Sequence, residues 1–314
     1  MDSHVVIKDT DLKVSRIVLG TANAGLAWDG SEAFNLLNTY VDRGGNVIDT
    51  ARIYSDWVEP EIGRSERVIG DWLRHRRHHD DLAIMTKGAH PRLNTMTTSR
   101  LSKAEVEADL NLSLKALSID CIDIYCFHRD DMSRSVEELI ETMESFRQTG
   151  KVRYYACSNW SVPRMEQADV YCAKMGYRGF VLNQALYNYA SSGMKPFPDK
   201  TMVTVDPGML RYHVNNPRNV PAAYMSLSSG FFHALQKNGT QAVESSPYCT
   251  SANLELYEKV KAIAADHHTG ITQVLIGFVL TRKPEMLALI GARNLEQLEA
   301  AMDTLNVDFS GVTF

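Results

Sequence analysis

The feature that most constrains this chain is a rhythm. Eight short apolar runs are spaced along it, and longer segments with helical periodicity alternate with them. The runs are "RIVLG" from Arg16, "NVIDT" from Asn46, "LAIMTK" from Leu82, "CIDIYCFH" from Cys121, "VRYYACSN" from Val152, "FVLNQ" from Phe180, "VPAAYM" from Val220 and "MLALIGAR" from Met286. They are rich in Val and Ile and short enough to be buried strands. Between them, Ser31–Arg43, Ser65–Arg76, Lys103–Leu117, Val136–Thr149 and Val162–Met175 carry apolar residues three and four apart. Ser102 and Ser135 stand where helix caps belong. Strands alternating with helices imply a parallel sheet, and eight such units close naturally into a (β/α)8 barrel. An open doubly wound sheet is the alternative. The stretch after the first run, "GTANAGLAWDG", lacks the glycine spacing that such a sheet uses for dinucleotides. The predicted architecture is therefore one (β/α)8 TIM barrel spanning residues 1–314, opened by a β-hairpin ("HVVIKDTDLKV"). Two long rim loops are expected, Tyr187–Lys200 and roughly Phe232–Ala252.

Composition narrows the function classes. A formal net charge of −5 argues against a broad nucleic-acid surface. The basic cluster "RHRRHH" (Arg74–His79) follows a helical pattern, where positive charge is ordinary. Five cysteines without a CxxC pair predict reduced, mostly buried thiols and no metal site. The opening residues lack the charge and apolar core of a signal peptide. No apolar run approaches the ~20 residues of a membrane span. A cytoplasmic protein is expected.

In a barrel the chemistry gathers where strands end. The second run ends in Asp49, with Tyr54 close behind; the third ends in Lys87 and the fourth in His128. The fifth ends in Ser158 and Asn159, the sixth in Asn183 and Gln184, the seventh near Tyr224, and the eighth at Gly291, Ala292 and Arg293. Asp49 and Lys87 lie on neighbouring strands and can pair. An ammonium beside a phenol is expected to lower the phenol's pKa from its usual ~10. Such a tyrosine can give its proton to a carbonyl oxygen as that oxygen gains charge, and a histidine can orient the same oxygen. This is equipment for reducing an aldehyde or ketone, given a cofactor that supplies hydride.

These fragments, in order, resemble the aldo-keto reductase superfamily: "GGNVIDTARIY", "GRSERVIGDWL", "MTKGAH", "SLKALSIDCIDIYCFHRDD", "GKVRYYACSN", "LNQALYN" and "IGARNLEQLEAA". The resemblance runs from about Leu12 to Asn306. It implies a barrel that binds NADP(H), with NAD(H) as the alternative, across its rim and reduces a small-molecule carbonyl reversibly. It implies that Tyr54 is the proton donor, tuned by Lys87 and Asp49, with His128 orienting the carbonyl. It carries cofactor contacts to Gly20, Thr21, Asp49, Ser158, Asn159 and Gln184. Further contacts fall on Tyr224 as a stacking ring, on Ser226, Leu227 and Gly230, on Gly291, Ala292 and Arg293 for an adenosine phosphate, and on Gln297. Met225 and Ala301 stand where the family often has Ser and Asn. A monomer needing no metal is the family's default.

Blander readings compete. Asp49 and Lys87 can be a structural ion pair, Tyr224 core packing, and Arg293 a solvated arginine at a helix start. A cofactor-binding regulatory barrel with little turnover is one rival, and a lyase using Lys87 as a Schiff base is another. For substrate, Trp28, Trp57 and Trp160 fall in rim loops and are expected to wall the pocket beside His128. Arg92, Tyr187, Asn188 and His213 are further polar candidates. Aromatic walls fit apolar carbonyls and, by stacking on C–H faces, sugars as well; a sugar-type or inosose-type ketone is expected.

Overall fold

The computed structural model describes residues 2–76 and 80–314. A hairpin of β1 (His4–Val6) and β2 (Lys13–Ser15) opens the chain. There follow β3 (Ile17–Gly20), α1 (Gly30–Asp42), β4 (Val47–Asp49), α2 (Arg64–Arg76), β5 (Ala83–Gly88), α3 (Lys103–Leu117), β6 (Ile122–Phe127) and α4 (Val136–Gln148). Next come β7 (Val152–Ser158), α5 (Val162–Met175), β8 (Leu182–Leu186), α6 (Pro207–Asn215) and β9 (Val220–Tyr224). The last elements are α7 (Phe231–Asn238), α8 (Ser251–Asp266), α9 (Ile271–Leu280), β10 (Leu287–Gly291) and α10 (Leu295–Met302). Strands β3 to β10 pair in parallel in chain order, and β10 closes on β3. The expected barrel is present. Ser102 and Ser135 cap α3 and α4 by accepting from Glu105 N and Glu138 N.

Side chains alternate across a strand, and that alternation sorts the residues. Val47, Ala83, Met85, Ile124, Cys126, Ala156, Leu182, Ala222, Leu287 and Leu289 point inward and pack as one cluster. The hairpin's Ile7, Leu12 and Val14 belong to the same cluster and stopper the barrel. Their neighbours, such as Ile48, Ile84, Tyr125, Phe127 and Tyr155, face the helices in the outer core. Two residues beyond each inward apolar position the chain reaches the mouth. There the next inward residues are Asp49, Lys87, His128, Ser158, Gln184, Tyr224 and Gly291, all lining one cavity.

One rim loop departs from expectation. The stretch from Phe232 opens inside α7 and continues through a short 3-10 turn at Thr240–Val243. Tyr187–Lys200 is irregular apart from a 3-10 turn at Ser191–Gly193. Of the cysteines, Cys126, Cys157 and Cys172 are buried, Cys249 is partly covered and Cys121 is exposed; all five are free thiols. In the basic cluster, Arg74 to Arg76 form the last turn of α2, as expected; Arg77, His78 and His79 lie outside the described residues. Among the described residues no helix is long and apolar enough to cross a membrane.

Helices α2 and α3 approach closely at Gly70. A Cβ there would sit 2.0 Å from the Ala116 carbonyl oxygen. Backbone cannot retreat as a side chain can, so Gly70→Ala is expected to cost about 1–3 kcal/mol. Chemical denaturation would show a lower midpoint; an unchanged one would mean that the two helices separate freely.

Candidate active site

Lys87 is the third inward residue of β5, after Ala83 and Met85. Its side chain is only 1% exposed and its Nζ has four oxygen contacts. These are Asp49 Oδ1 at 2.8 Å, Asp49 Oδ2 at 2.9 Å, the Thr50 carbonyl at 2.8 Å and the Tyr54 hydroxyl at 2.9 Å. The loop after β4 delivers the tyrosine by extending the pairing with β5: Thr50 N donates to Met85 O, and Arg52 N to Lys87 O. Burial is the largest single cause and disfavours the ammonium, but Asp49, Tyr54 and Cys126 together outweigh it and hold Lys87 above its usual range. For Asp49, burial is the largest cause and pushes its pKa up against the pull of Lys87. Its two oxygens nevertheless accept from Lys87 and from Gln184 Nε2 at 2.7 Å. Donors alone surround it, which is the environment of a carboxylate.

Tyr54 corrects an expectation. The lysine does pull its pKa down, but burial is the larger cause, and the net direction is up. The phenol is thus firmly protonated at neutral pH, which is the form a proton donor needs. His128 lies edge-on to Tyr54, ring centroids 5.9 Å apart, and edge-on to His90 at 4.6 Å. Burial first, then His90, Arg129 and Lys87, hold its pKa well below the usual imidazole value. A neutral ring carries one N–H donor. Its Nδ1 is buried without a hydrogen-bond partner.

The cavity holding these groups measures about 960 Å³ and extends to the start of α10. Of the predicted contacts, Gly20, Asp49, Ser158, Asn159, Gln184, Tyr224, Ser226, Leu227, Gly230, Gly291, Arg293 and Gln297 line it. Thr21 and Ala292 do not. Each is one residue past an inward position, so alternation turns it away: Thr21 bonds Asp49 O and Ser65, and Ala292 O accepts from Trp28 Nε1 at 2.9 Å. Several amides are already engaged. Asn159 Oδ1 accepts from Tyr224 OH at 2.6 Å and Val203 N at 3.0 Å, and Gln297 Oε1 accepts from Arg293 N at 2.9 Å. The wall at Met225–Gly230 is backbone in an uncommon state. Met225, Ser228 and Ser229 have φ of 56°, 51° and 53°, strain that tends to collect at functional sites. Arg293 is exposed, and its guanidinium has no hydrogen-bond or ion-pair partner among the described residues.

The tryptophan walls are corrected too. Trp160 is wholly buried, between Phe127 (stacked, 6.0 Å) and Phe180 (5.0 Å). Asn159 turns the chain at φ 61°, which breaks the strand alternation just before it. Trp28 is 3% exposed, and Trp57, at 49%, stands on the outer rim away from the cavity lining. Arg92, Tyr187, Asn188 and His213 are absent from that lining as well; Asn188 and His213 are buried. Sequence reasoning missed Arg129, Met202 and the pair His233–Thr272, whose Nε2 and Oγ1 lie 2.8 Å apart. Arg129 had a visible signal, its place directly after His128. His233 sat in a stretch read as loop. Among the described residues no cluster of His, Cys, Asp and Glu could hold a metal ion.

Known proteins share this pattern. The sequence signature of the Aldo/keto reductase family matches residues 16–312. An aryl-alcohol dehydrogenase of Pestalotiopsis microspora is 27% identical over 98% of this chain and 79% of its own length. An NADP(+) aryl-alcohol dehydrogenase of Phanerodontia chrysosporium is 25% identical over 95% of this chain and 80% of its own. Norsolorinic acid reductase A of Aspergillus parasiticus is 24% identical over 98% and 78%. With the barrel, the rim cavity and a family match over nearly its whole length, this chain belongs to the aldo/keto reductase family, whose chemistry is oxidoreduction between carbonyl and alcohol.

Proposed function

We propose that the protein reduces an aldehyde or ketone to an alcohol, reversibly, with NADP(H) as hydride source. The observation that carries this is the Lys87 ammonium, paired with Asp49 and 2.9 Å from the Tyr54 hydroxyl. The residues along the cavity suit a nicotinamide dinucleotide. Positions 230 and 291 are glycines with open space where a Cβ would stand, so a ligand can lie against the backbone. The Arg293 guanidinium, unpaired among the described residues, suits a phosphate. Gln184 and Asn159 offer carboxamides at the end beside Asp49, Tyr54, Lys87 and His128, on condition that they exchange present partners. A bound dinucleotide supplies the hydride to the carbonyl carbon.

The remaining chemistry belongs to the chain. His128 donates a hydrogen bond to the carbonyl oxygen and orients it. Tyr54 transfers its proton to that oxygen as negative charge develops. The phenolate left behind is stabilised by Lys87, and Asp49 keeps the lysine charged and aimed. In the reverse direction the phenolate takes the proton of the alcohol.

For substrate we favour an aromatic carbonyl or aryl alcohol. Met202 and Met225 line the cavity, and thioethers adapt to flat apolar rings. Three relatives' names point the same way. None of the three tryptophans expected to wall the pocket, for an apolar carbonyl or a sugar alike, stands in the cavity lining.

Tyr54→Phe is expected to lower turnover of an aromatic aldehyde by ~10²-fold or more, while fluorescence titration gives an NADPH affinity near wild type. Full turnover in that variant would remove Tyr54 from the mechanism. Because burial raises the Tyr54 pKa and keeps His128 neutral, reduction should be nearly flat from pH ~5 to 8. It should decline only as the pH rises through the phenol's own pKa, and alcohol oxidation should climb over that range. A reduction rate that halves between pH 6 and 8 in initial-rate assays contradicts this assignment. Lys87→Met strands a buried carboxylate and is expected to cost about 3–5 kcal/mol in denaturant unfolding. The double variant Asp49→Asn with Lys87→Met should recover part of that loss.

A further inference from the structure

Arg129, directly after His128, is a second cation at this cavity, and none of the roles assigned above uses it. Its side chain is 11% exposed, and all three guanidinium nitrogens are placed. Nη1 donates to the His128 carbonyl at 2.9 Å, Nε to Thr201 Oγ1 at 2.7 Å and Nη2 to Asp199 Oδ2 at 3.0 Å. Asp199 in turn accepts from Thr201 N at 2.9 Å and Thr201 Oγ1 at 2.5 Å. The next residue, Met202, lines the cavity, and Val203 N is held by Asn159 Oδ1. One side chain therefore ties the backbone of the orienting histidine to the segment that covers the site.

We propose that Arg129 is a positioning residue for the carbonyl chemistry: its fork seats Met202 and His128 at the reacting centre, and its charge, set against Asp199, supports the phenolate left on Tyr54. The proposal rests on Tyr54 being the proton donor. The charged and titratable groups acting on that phenol or packed on it are Asp49 from β4, Lys87 from β5, His128 and Arg129 after β6, and Tyr224 from the end of β9. Behind them, His90 from the loop after β5 packs on His128, and Asp199 from the segment after β8 pairs with Arg129. Asp49 neutralises Lys87 directly, so the net positive field depends on how far Asp199 neutralises Arg129. The direction is consistent: Arg129 pulls the pKa of Tyr54, Tyr224, His90 and His128 down, and Asp199 pulls those of His90 and Tyr224 up.

Two variants separate tie from charge. Arg129→Gln and Asp199→Asn both break the ion pair, but they change the net charge in opposite directions. The pH profile of alcohol oxidation, which needs the phenolate, is the readout. Arg129→Gln should move the rising limb to higher pH, on the order of half a unit or more. Asp199→Asn should move it to lower pH. Arg129→Lys, which keeps charge without the planar fork, should leave the limb in place and raise KM more than it lowers kcat. Carbon-13 tyrosine NMR of the cofactor-free protein, with Tyr54→Phe to assign the signal, should show the same ordering of the Tyr54 titration. Should Arg129→Gln and Asp199→Asn raise KM alike with both profiles at the wild-type position, the charge role is overturned. Should Arg129→Lys and Arg129→Gln both keep wild-type KM, the seating role is overturned. A rising limb that persists unchanged in Tyr54→Phe means instead that the proton-donor reading itself has failed.

Discussion

The mouth of this barrel depends on one ion pair. Lys87 and Asp49 are each about 1% exposed, and neither charge would persist at that depth alone. Together they are tolerable because further hydrogen bonds support both charges: the Thr50 carbonyl and Tyr54 hydroxyl on one side, and the Gln184 amide on the other. That arrangement fixes the phenol's position and keeps an ammonium where a new negative charge will form. Preorganised charge of this kind costs no rearrangement at the moment of reaction. It also explains why the groups sit at strand ends: three adjacent strands supply Asp49, Lys87 and His128, and hydrogen-bonded strands cannot shift independently.

Much of this was legible in the sequence, for a definite reason. Strand periodicity is two, so an inward Met85 implies an inward Lys87, and an inward Cys126 implies an inward His128. By the same parity Thr21 and Ala292 turn away from the cavity. What parity cannot reach is a loop in which the backbone changes hand. Asn159, in the left-handed region, carries Trp160 into the outer core, so an aromatic residue placed by sequence at the pocket became packing. The sign of the Tyr54 shift was equally hidden, because it needs the depth of burial as well as the identity of the neighbour. Arg129 was in plain view, but the segment it holds, Asp199 to Met202, is 70 or more residues away in sequence.

At the other end of the cavity the side chains are already in conversation. Gln297 reaches back to Arg293 N, and Asn294 caps α10 by accepting from Gln297 N; nearer the ion pair, Asn159 likewise holds Tyr224. A ligand that needs these amides must exchange one partner for another. Each exchange trades a hydrogen bond for a hydrogen bond, so it adds directionality more than net attraction. Arg293 differs: among the described residues its guanidinium has no protein partner to exchange, only solvent.

The N-terminal hairpin has a reach beyond its position. Ile7, Leu12 and Val14 stopper the barrel at the end opposite the chemistry, in the apolar column that stands beneath the ion pair. A column without solvent is a poor dielectric, and Coulomb attraction scales inversely with permittivity. The first fifteen residues, which touch no reactant, thereby insulate the lysine and aspartate from below, as a cork keeps a flask dry.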